Sequence, residues 1–142
     1  MTKLNTGYSG TALAKKLGIK DGYKIRLVNQ PEYYFDLFDE FPTNVKISPD
    51  TKEKKNFIHY FTKELEDLKN DIVNLRNEIE PNGMIWISCP KKSAKVFSNI
   101  SLDEVRTLAL ANGLVDIKIC AIDDIWSALK LVIPLKDRIT NY

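Results

Sequence analysis

Short apolar runs and alternating runs recur along the chain and predict six β-strands. The predicted strands cover residues 23–29, 44–48, 56–61, 83–89, 114–121 and 125–133. The run Met84–Ile87 is apolar at four consecutive positions and lies between the turn residues Asn82-Gly83 and Pro90. A run of this kind, without alternation, is typical of a strand that is buried on both faces. We therefore expect residues 83–89 to form a central strand of a largely parallel sheet.

Helical periodicity is clearest in residues 62–80. Apolar residues recur there at three- and four-residue steps and form one stripe: Leu65, Leu68, Ile72, Leu75 and Ile79. Thr62 is placed to cap this helix, and Pro81 is placed to end it. The other predicted helices cover residues 7–22, 31–41 and 101–112. Their expected end signals are Ser9 or Thr11 and Gly18 for the first, Pro31 for the second, and a capping box of Ser101 with Glu104 for the third.

The order of these elements predicts one α/β domain over residues 1–142. Right-handed helical crossovers between parallel strands form a three-layer sandwich, and the short Asp123-Asp124 connection makes the last two strands an antiparallel hairpin. The predicted order across the six-stranded sheet is 44–48, 23–29, 56–61, 83–89, 125–133, 114–121, with only 125–133 antiparallel. Residues 1–22 are expected to form an N-terminal helical segment, 49–56 an exposed polar linker, and 134–142 a polar tail without assigned structure.

The composition is that of an ordinary globular protein, since 44% of the 142 residues are hydrophobic and 28% are charged. A formal net charge of +2 is too small to indicate a nucleic-acid-binding domain. No apolar stretch approaches the roughly 18 residues that span a membrane, and Met1–Thr6 lacks the apolar core of a signal peptide. Cys89 and Cys120 have neither metal-site nor disulfide spacing, so we expect reduced thiols in a cytoplasmic protein.

The junction after the first strand carries the most informative absence in the sequence. Nucleotide-binding α/β proteins place a glycine-rich loop there, so that backbone amides can approach phosphate closely. This chain has Asn29-Gln30-Pro31-Glu32 instead. Pro31 removes an amide donor, and Glu32 puts negative charge at the start of the following segment. No nucleotide-type cofactor is therefore predicted.

A ligand site is nevertheless expected at the carboxyl edge of the sheet. Ligands of open α/β proteins bind where the chain crosses from one half of the sheet to the other, here between strands 23–29 and 56–61. Six residues are expected to line this crevice: Asn29, Gln30, Thr62, Ser88, Lys91 and Lys92. Ammonium groups offer only donors and positive charge, so the expected ligand is a small anion. Solvated loop lysines are the alternative interpretation.

Other chemistry-bearing residues favour structural roles. His59 is the only histidine, and no orienting partner is identifiable for it. Cys89 would be nucleophilic only if Lys91 lowered its pKa, and a strand-end cysteine is usually a small buried apolar side chain. The two neighbouring acids of the Asp123-Asp124 turn are too few for a metal site, so no metal is predicted. Three hairpin residues could line a pocket or fill the core: Trp126, Ser127 and Lys130.

The element order resembles the class I methyltransferase fold, whose sheet also ends in a reversed strand. The resemblance is architectural and covers residues 23–133. It does not extend to the cofactor motif, because Asn29–Glu32 stands where that family has its glycine-rich loop. No motif similar to its catalytic Asp-Pro-Pro-Tyr is present either. The resemblance therefore implies a Rossmann-like fold without naming a catalytic residue.

Three segments resemble a family of small bacterial proteins of unknown function. They are the opening Gly7–Thr11 with Leu13–Ile19, the segment Trp86–Lys92, and Gly113–Ala121 followed by Trp126-Ser127 and Leu129-Lys130. Ala12 and Ile125 depart from that family's usual proline and threonine. This resemblance implies the fold and a bacterial cytoplasmic setting, and it supplies no activity.

Three functional hypotheses follow. The first is a degenerate methyltransferase-like domain that binds a small anionic ligand or a protein partner. The second is an active methyltransferase-type enzyme with a divergent cofactor loop. The third is a structural or interaction module without a ligand. The missing loop glycines favour the first and third hypotheses over an enzyme.

Overall fold

Six strands form one mixed sheet in the computed structural model, which describes residues 12–138. The strands are β1 (Lys24–Val28), β2 (Lys46–Ile47), β3 (Lys55–Phe61), β4 (Ile79–Pro90), β5 (Val115–Ala121) and β6 (Trp126–Val132). The α-helices are α1 (Leu13–Leu17), α2 (Leu65–Glu78) and α3 (Leu102–Ala111). Short 3₁₀ turns occupy Tyr34–Leu37, Lys92–Ala94 and Leu135–Asp137.

The strand order across the sheet is β2-β1-β3-β4-β6-β5. The first four of these strands pair in parallel, whereas β6 pairs antiparallel with both β4 and β5. The predicted order and the closing antiparallel hairpin are therefore confirmed. In this order β4 is central, as its uninterrupted apolar run predicts.

The two outer layers differ in thickness. On one face, α2 and α3 bury an aliphatic core against β3, β4 and β6. On the other face, α1 and the Tyr34–Leu37 turn cover a more aromatic core that includes the fully buried Trp86. The indole Nε1 of Trp86 donates to the carbonyl oxygen of Leu17 at 2.8 Å, which attaches α1 to the central strand.

The segment 31–41 is not the predicted helix. Only Tyr34–Leu37 is helical, and it forms a 3₁₀ turn with i→i+3 hydrogen bonds such as Tyr34 N–H to the Pro31 carbonyl at 3.0 Å. The aromatic side chains decide this path, because Tyr34 makes edge-to-face contacts with Phe61 of β3 while Phe38 contacts Phe41. Contacts with the sheet outweigh the local helical pattern here.

The polar linker predicted for 49–56 is shorter than expected, since Lys55 and Asn56 belong to β3. Lys55 is fully buried despite its charge. Its ammonium donates to the backbone oxygens of Asp50 and Glu53, both at 2.6 Å, and to Glu78 Oε2 at 2.9 Å. All three donors of the ammonium are thus used, which is the condition for burying it.

Helix α2 starts and ends differently from the prediction. Thr62 does not cap it; instead the side-chain oxygen of Asn99 accepts from the Leu65 amide at 2.7 Å. The predicted turn at 81–83 lies within β4, as an irregularity in the pairing with β3. Gly83 is required there, because a Cβ would lie 2.9 Å from the Lys55 carbonyl oxygen.

Two of the remaining end signals are confirmed. Gly18 ends α1 in the left-handed conformation, with φ of 85°. The capping box of Ser101 and Glu104 is present on α3. Ser9 and Thr11 lie outside the described residues. The segment 134–142, to which the sequence analysis assigns no structure, contains the 3₁₀ turn Leu135–Asp137.

Cys89 and Cys120 are both free, as predicted. Within residues 12–138, no helix combines the length and apolar character needed to cross a membrane.

A chain of three polar side chains crosses the aromatic core. His59 is fully buried, with Nδ1 2.9 Å from the Tyr34 hydroxyl and Nε2 2.7 Å from Ser88 Oγ. A neutral imidazole has one donor and one acceptor nitrogen, so one hydroxyl donates to it and the other accepts from it. Burial lowers the pKa of His59 to about 3. The side chains that orient His59, which its sequence context does not identify, are therefore the hydroxyl groups of Tyr34 and Ser88.

We expect replacement of Glu78 by alanine to lower the free energy of unfolding by about 3–5 kcal/mol, because it leaves Lys55 charged and buried without its carboxylate. Urea denaturation measures this loss. The control is Glu66→Ala, since Glu66 is exposed in the first turn of the same helix, with an expected change below about 1 kcal/mol. Equal losses in the two variants would contradict a stabilising role for the buried pair.

Stability should also depend on His59. Its folded-state pKa of about 3 lies below the ordinary 6.5, so protonation favours the unfolded chain. The contribution is fully present above pH 6.5 and is lost as the pH falls towards 3. Between pH 7 and 5 we expect a loss of about 2 kcal/mol in urea denaturation, and a smaller loss in His59→Gln. In wild type, an imidazole NMR resonance that titrates near pH 6.5 would contradict this prediction.

Candidate functional site

The end of β1 does not form a phosphate-binding loop. Asn29 adopts a left-handed conformation, with φ of 57°. Its side-chain Nδ2 donates to the Phe61 carbonyl at the end of β3, at 3.4 Å. Pro31 follows, and the only helical structure beyond it is the 3₁₀ turn that starts at Tyr34. No α-helix N-terminus therefore points at this edge from β1, in contrast to nucleotide-binding sites of this fold class.

A crevice of about 540 Å³ opens at the carboxyl ends of β1 and β3, where the chain switches between the halves of the sheet. We call it the switch-point crevice. Its apolar walls are Pro31, Tyr33, Phe61, Val96, Ile125 and Trp126. Its polar rim is Asn29, Thr62, Lys63, Glu64 and Asp67. The position is the one predicted from the element order.

Asp123 organises one wall of this crevice. Its Oδ2 accepts the Tyr33 hydroxyl at 2.7 Å, and its Oδ1 accepts the amides of Ile125 and Trp126, both at 2.8 Å. Burial and the neighbouring Asp123 raise the pKa of Tyr33 to about 12. The phenol is therefore a neutral donor, and its ring is held beside the Trp126 wall.

Thr62 lies on the rim, but its polar groups are already engaged. Its amide donates to the Ser88 carbonyl at 3.0 Å. Its hydroxyl accepts the Glu64 amide at 3.0 Å and lies 3.1 Å from the Glu64 carbonyl. Thr62 therefore shapes the turn into α2.

Asn99 ties the segment 91–99 to the start of α2. Its Nδ2 donates to Glu64 Oε1 at 2.8 Å, and its amide donates to the Lys63 carbonyl at 3.0 Å. Together with the bond to the Leu65 amide, these contacts fix the loop that follows the central strand. Val96 of this loop lies between two cavities and lines both.

The second cavity, of about 640 Å³, is called here the lysine cavity. Its wall includes Cys89, Lys91, Lys92, Ser127 and the first turn of α3. The Lys91 backbone amide donates to the Ile125 carbonyl at 2.7 Å, which holds the two cavities side by side.

Charges in the lysine cavity are unevenly compensated. Asp103 pairs with Arg106 Nη1 at 3.0 Å, and Glu104 Oε1 accepts from the Ser101 amide at 3.0 Å in the capping box. Within residues 12–138, neither Lys91 nor Lys92 has a carboxylate within the 4.0 Å of an ion pair. The positive groups of this cavity are thus the ones without an internal partner.

Cys89 lines the lysine cavity as a largely protonated thiol. Burial, with Glu104 nearby, raises the pKa of the Cys89 thiol to about 11, so the thiolate is scarce at neutral pH. In the part of the chain that the structure describes, no group of three His, Cys, Asp or Glu side chains could hold a metal ion.

The structure distributes the six predicted site residues over four places. Asn29 and Thr62 share the switch-point crevice. Lys91 and Lys92 share the adjoining lysine cavity. Gln30 is exposed and is not part of the crevice wall. Ser88 is fully buried and bonded to His59, so it faces the core instead of the surface.

Sequence inspection missed two residues that shape this edge. Tyr33 falls within the predicted helix 31–41 without an assigned role, and Asn99 falls in a stretch without a pattern. Their roles depend on partners at positions 123 and 64, far away in the chain. Trp126 was a candidate for both pocket and core, and it is buried while lining the crevice.

Comparison with solved structures shows methyltransferase-like folds. A putative type 11 methyltransferase from Sulfolobus solfataricus has a TM-score of 0.62 at 13% identity, covering 88% of this chain and 91% of that chain. DhpI, solved as a complex with SAH, has a TM-score of 0.57 at 10% identity, covering 87% and 83%. A ribosomal protein L11 methylase from Lactobacillus delbrueckii subsp. bulgaricus has a TM-score of 0.56 at 11% identity, covering 84% and 73%. At such identities the likeness concerns the fold.

Sequence comparison adds the family. No curated protein matches the chain. Residues 44–135, which include β2 to β6, match DUF3052, described as a protein of unknown function. The chain therefore belongs to the DUF3052 family of unknown function and has a methyltransferase-like fold.

Proposed function

We propose that this protein is a binding domain built on the methyltransferase fold, and that it holds a small anionic ligand at the carboxyl edge of its sheet. In this proposal the anionic group lies in the lysine cavity beside Lys91 and Lys92. The domain does not use S-adenosylmethionine in the manner of the enzymes that share its fold.

The observation that carries the proposal is the charge of the segment after the central strand. Residues 81–102 contain three lysines, Lys91, Lys92 and Lys95, and no acidic residue. Two of these lysines line a cavity whose own carboxylates, Asp103 and Glu104, are engaged by Arg106 and Ser101. An anion would pair directly with these two ammonium groups, which have no carboxylate within ion-pair distance among residues 12–138.

The first turn of α3 supports the same ligand charge. Helix N-termini carry partial positive charge, and the α3 residues Leu102 and Asp103 line the lysine cavity. The helix adds to the field of the two ammonium groups without a further basic residue. Asp103 and the Glu104 carboxylate of the capping box reduce this field, which favours one anionic group over a highly charged ligand.

The adjoining crevice suits an apolar part of the ligand. The switch-point crevice is lined by Pro31, Tyr33 and Trp126, and it meets the lysine cavity at Val96. A molecule with an anionic group and a flat or aliphatic body could occupy both. Pockets of this volume and lining are typical of small-molecule sites.

The loop after β1 argues against the enzyme alternative. Close approach of a cofactor there needs free amides and small side chains. Asn29 uses its side chain to bridge to β3, Pro31 has no amide hydrogen, and Glu32 would repel a carboxylate. These features favour binding over methyl transfer.

S-adenosylmethionine should therefore bind weakly or not at all. Calorimetric titration should give no dissociation constant below about 100 μM, which corresponds to a binding free energy of roughly −5.5 kcal/mol. Tighter binding would contradict the proposal and restore the hypothesis of an active methyltransferase.

Replacing both Lys91 and Lys92 by alanine should weaken anion binding at least about tenfold, because a charge-assisted hydrogen bond contributes roughly 1.5–3 kcal/mol. The fold should survive, since such surface changes alter stability by about ±0.5 kcal/mol. A thermal-shift screen of phosphates, carboxylates and nucleotides identifies the ligand, and calorimetry then gives the affinities. Binding should also weaken as salt rises.

The matched control is Lys52→Ala with Lys69→Ala. Both are exposed lysines outside the two cavities, and each double variant lowers the formal net charge from +2 to 0. An equal effect of the two double variants would reveal non-specific attraction to charge. If no anion binds wild type, the ligand proposal fails, and a protein partner or a purely structural role becomes the better hypothesis.

A further inference from the structure

A polar cleft of about 400 Å³ lies on the opposite side of β1 from the aromatic core. Its polar lining consists of Arg26, Thr51, Asp71, Asn74, Asn77 and Glu78. These residues come from β1, from the loop before β3 and from the second half of α2. The cleft shares no lining residue with the switch-point crevice or the lysine cavity.

The cleft exists because the helical layer stops short of β1. Helices α2 and α3 bury the residues of β3, β4 and β6 on this face, but from β1 only the partly buried Val28 packs against that core. Arg26 and Val28 point to this side because strand side chains alternate, and Leu27 between them packs against the other core. A concave surface is left between α2 and the first strand.

The charged groups of the cleft are fixed and balanced. Arg26 forms an ion pair with Glu78, which also binds the buried Lys55 at 2.9 Å. The Tyr60 hydroxyl donates to Asp71 Oδ2 at 2.6 Å. In the lining, Arg26 faces the carboxylates of Asp71 and Glu78, and the buried Lys55 compensates Glu78 from within the protein. The site therefore has no net positive charge that would attract an anion.

The hydrogen-bonding capacity is not exhausted. Arg26 uses Nη1 for Glu78, and the other guanidinium N–H groups remain available. In the described part of the chain, the side chains of Asn74 and Asn77 have no hydrogen-bond partner that would compete with a ligand. Of the apolar lining residues, Tyr60 and Leu75 are 1% and 3% exposed, and Val28 is partly buried. The accessible lining is thus mostly polar, with donors and acceptors interleaved.

We propose that this cleft binds a neutral, polyhydroxylated small molecule, a sugar or a related polyol. Vicinal hydroxyls both donate and accept, which matches guanidinium, carboxamide and carboxylate groups held in fixed positions. A nucleobase or lipid would need a broad exposed apolar surface, whereas Val28 is the one apolar lining side chain that is more than a few per cent exposed. A phosphate would need net positive charge, which the lining does not carry. This site does not depend on the proposed anion site.

Titration of ¹⁵N-labelled protein followed by NMR tests the proposal directly. The probes are D-glucose, D-ribose and myo-inositol, each up to roughly 50 mM, with inorganic phosphate as a charged probe. At least one of the neutral probes should give saturable shifts of the amides of Arg26 and of residues 74–78. Phosphate should leave these amides unchanged.

The test variant is Asn74→Ala, which removes a carboxamide from an exposed helical position where alanine is well tolerated. It should weaken binding at least about fivefold, as expected for one or two neutral hydrogen bonds. Asn70→Ala is the matched control, because Asn70 is exposed on the same helix and does not line the cleft. It should bind like wild type, and so should the Lys91 and Lys92 double variant.

Three results would overturn the proposal. They are an absence of saturable shifts with all three neutral probes, equal affinity of wild type and Asn74→Ala, and shifts of the cleft amides caused by phosphate. None of these results bears on the lysine cavity, so the failure of one site is distinguishable from the failure of the other.

Discussion

A buried histidine that must stay neutral constrains the arrangement of the carboxyl edge. His59 lies in β3 without access to water, so both ring nitrogens need partners inside the protein. Ser88 of the central strand provides one, and Tyr34 provides the other. Tyr34 belongs to the segment after β1, and its hydroxyl can reach His59 only if that segment lies flat on the sheet. The histidine thereby fixes the path of the chain where related folds have a cofactor loop.

The flat path has consequences for binding. It brings Pro31 and Tyr33 over the ends of β1 and β3, where they form the wall of an apolar crevice. It also replaces a helix N-terminus by a 3₁₀ turn, which removes the usual attraction for a phosphate or carboxylate at that point. Positive charge is found instead beyond the central strand, at Lys91 and Lys92.

Much of the fold follows from local sequence patterns. The apolar run of β4, the stripe of α2 and the alternation of β5 predict the elements, and the handedness of crossovers predicts their order. The general position of the candidate site also follows from the order of the elements, because it depends only on where the strand order reverses. The capping box of α3 is also predictable from the sequence, since its two residues are only three positions apart.

The tertiary structure decided what depends on distant partners. Lys55 lies in a polar stretch, where the sequence predicts an exposed side chain. It can be buried because its ammonium group bonds to Glu78 and to two backbone carbonyls. Ser88 is predicted from the sequence to be a hydrogen-bond donor for a ligand at the strand end. In the structure its hydrogen-bond partner is His59, 29 positions away in the chain. Local periodicity is enough to predict the six strands and the helices α2 and α3, but not the path of residues 31–41, which depends on aromatic contacts with the sheet. Which polar groups line a cavity and which bond to each other was settled only by packing, since a buried donor must find its acceptor wherever the fold places one.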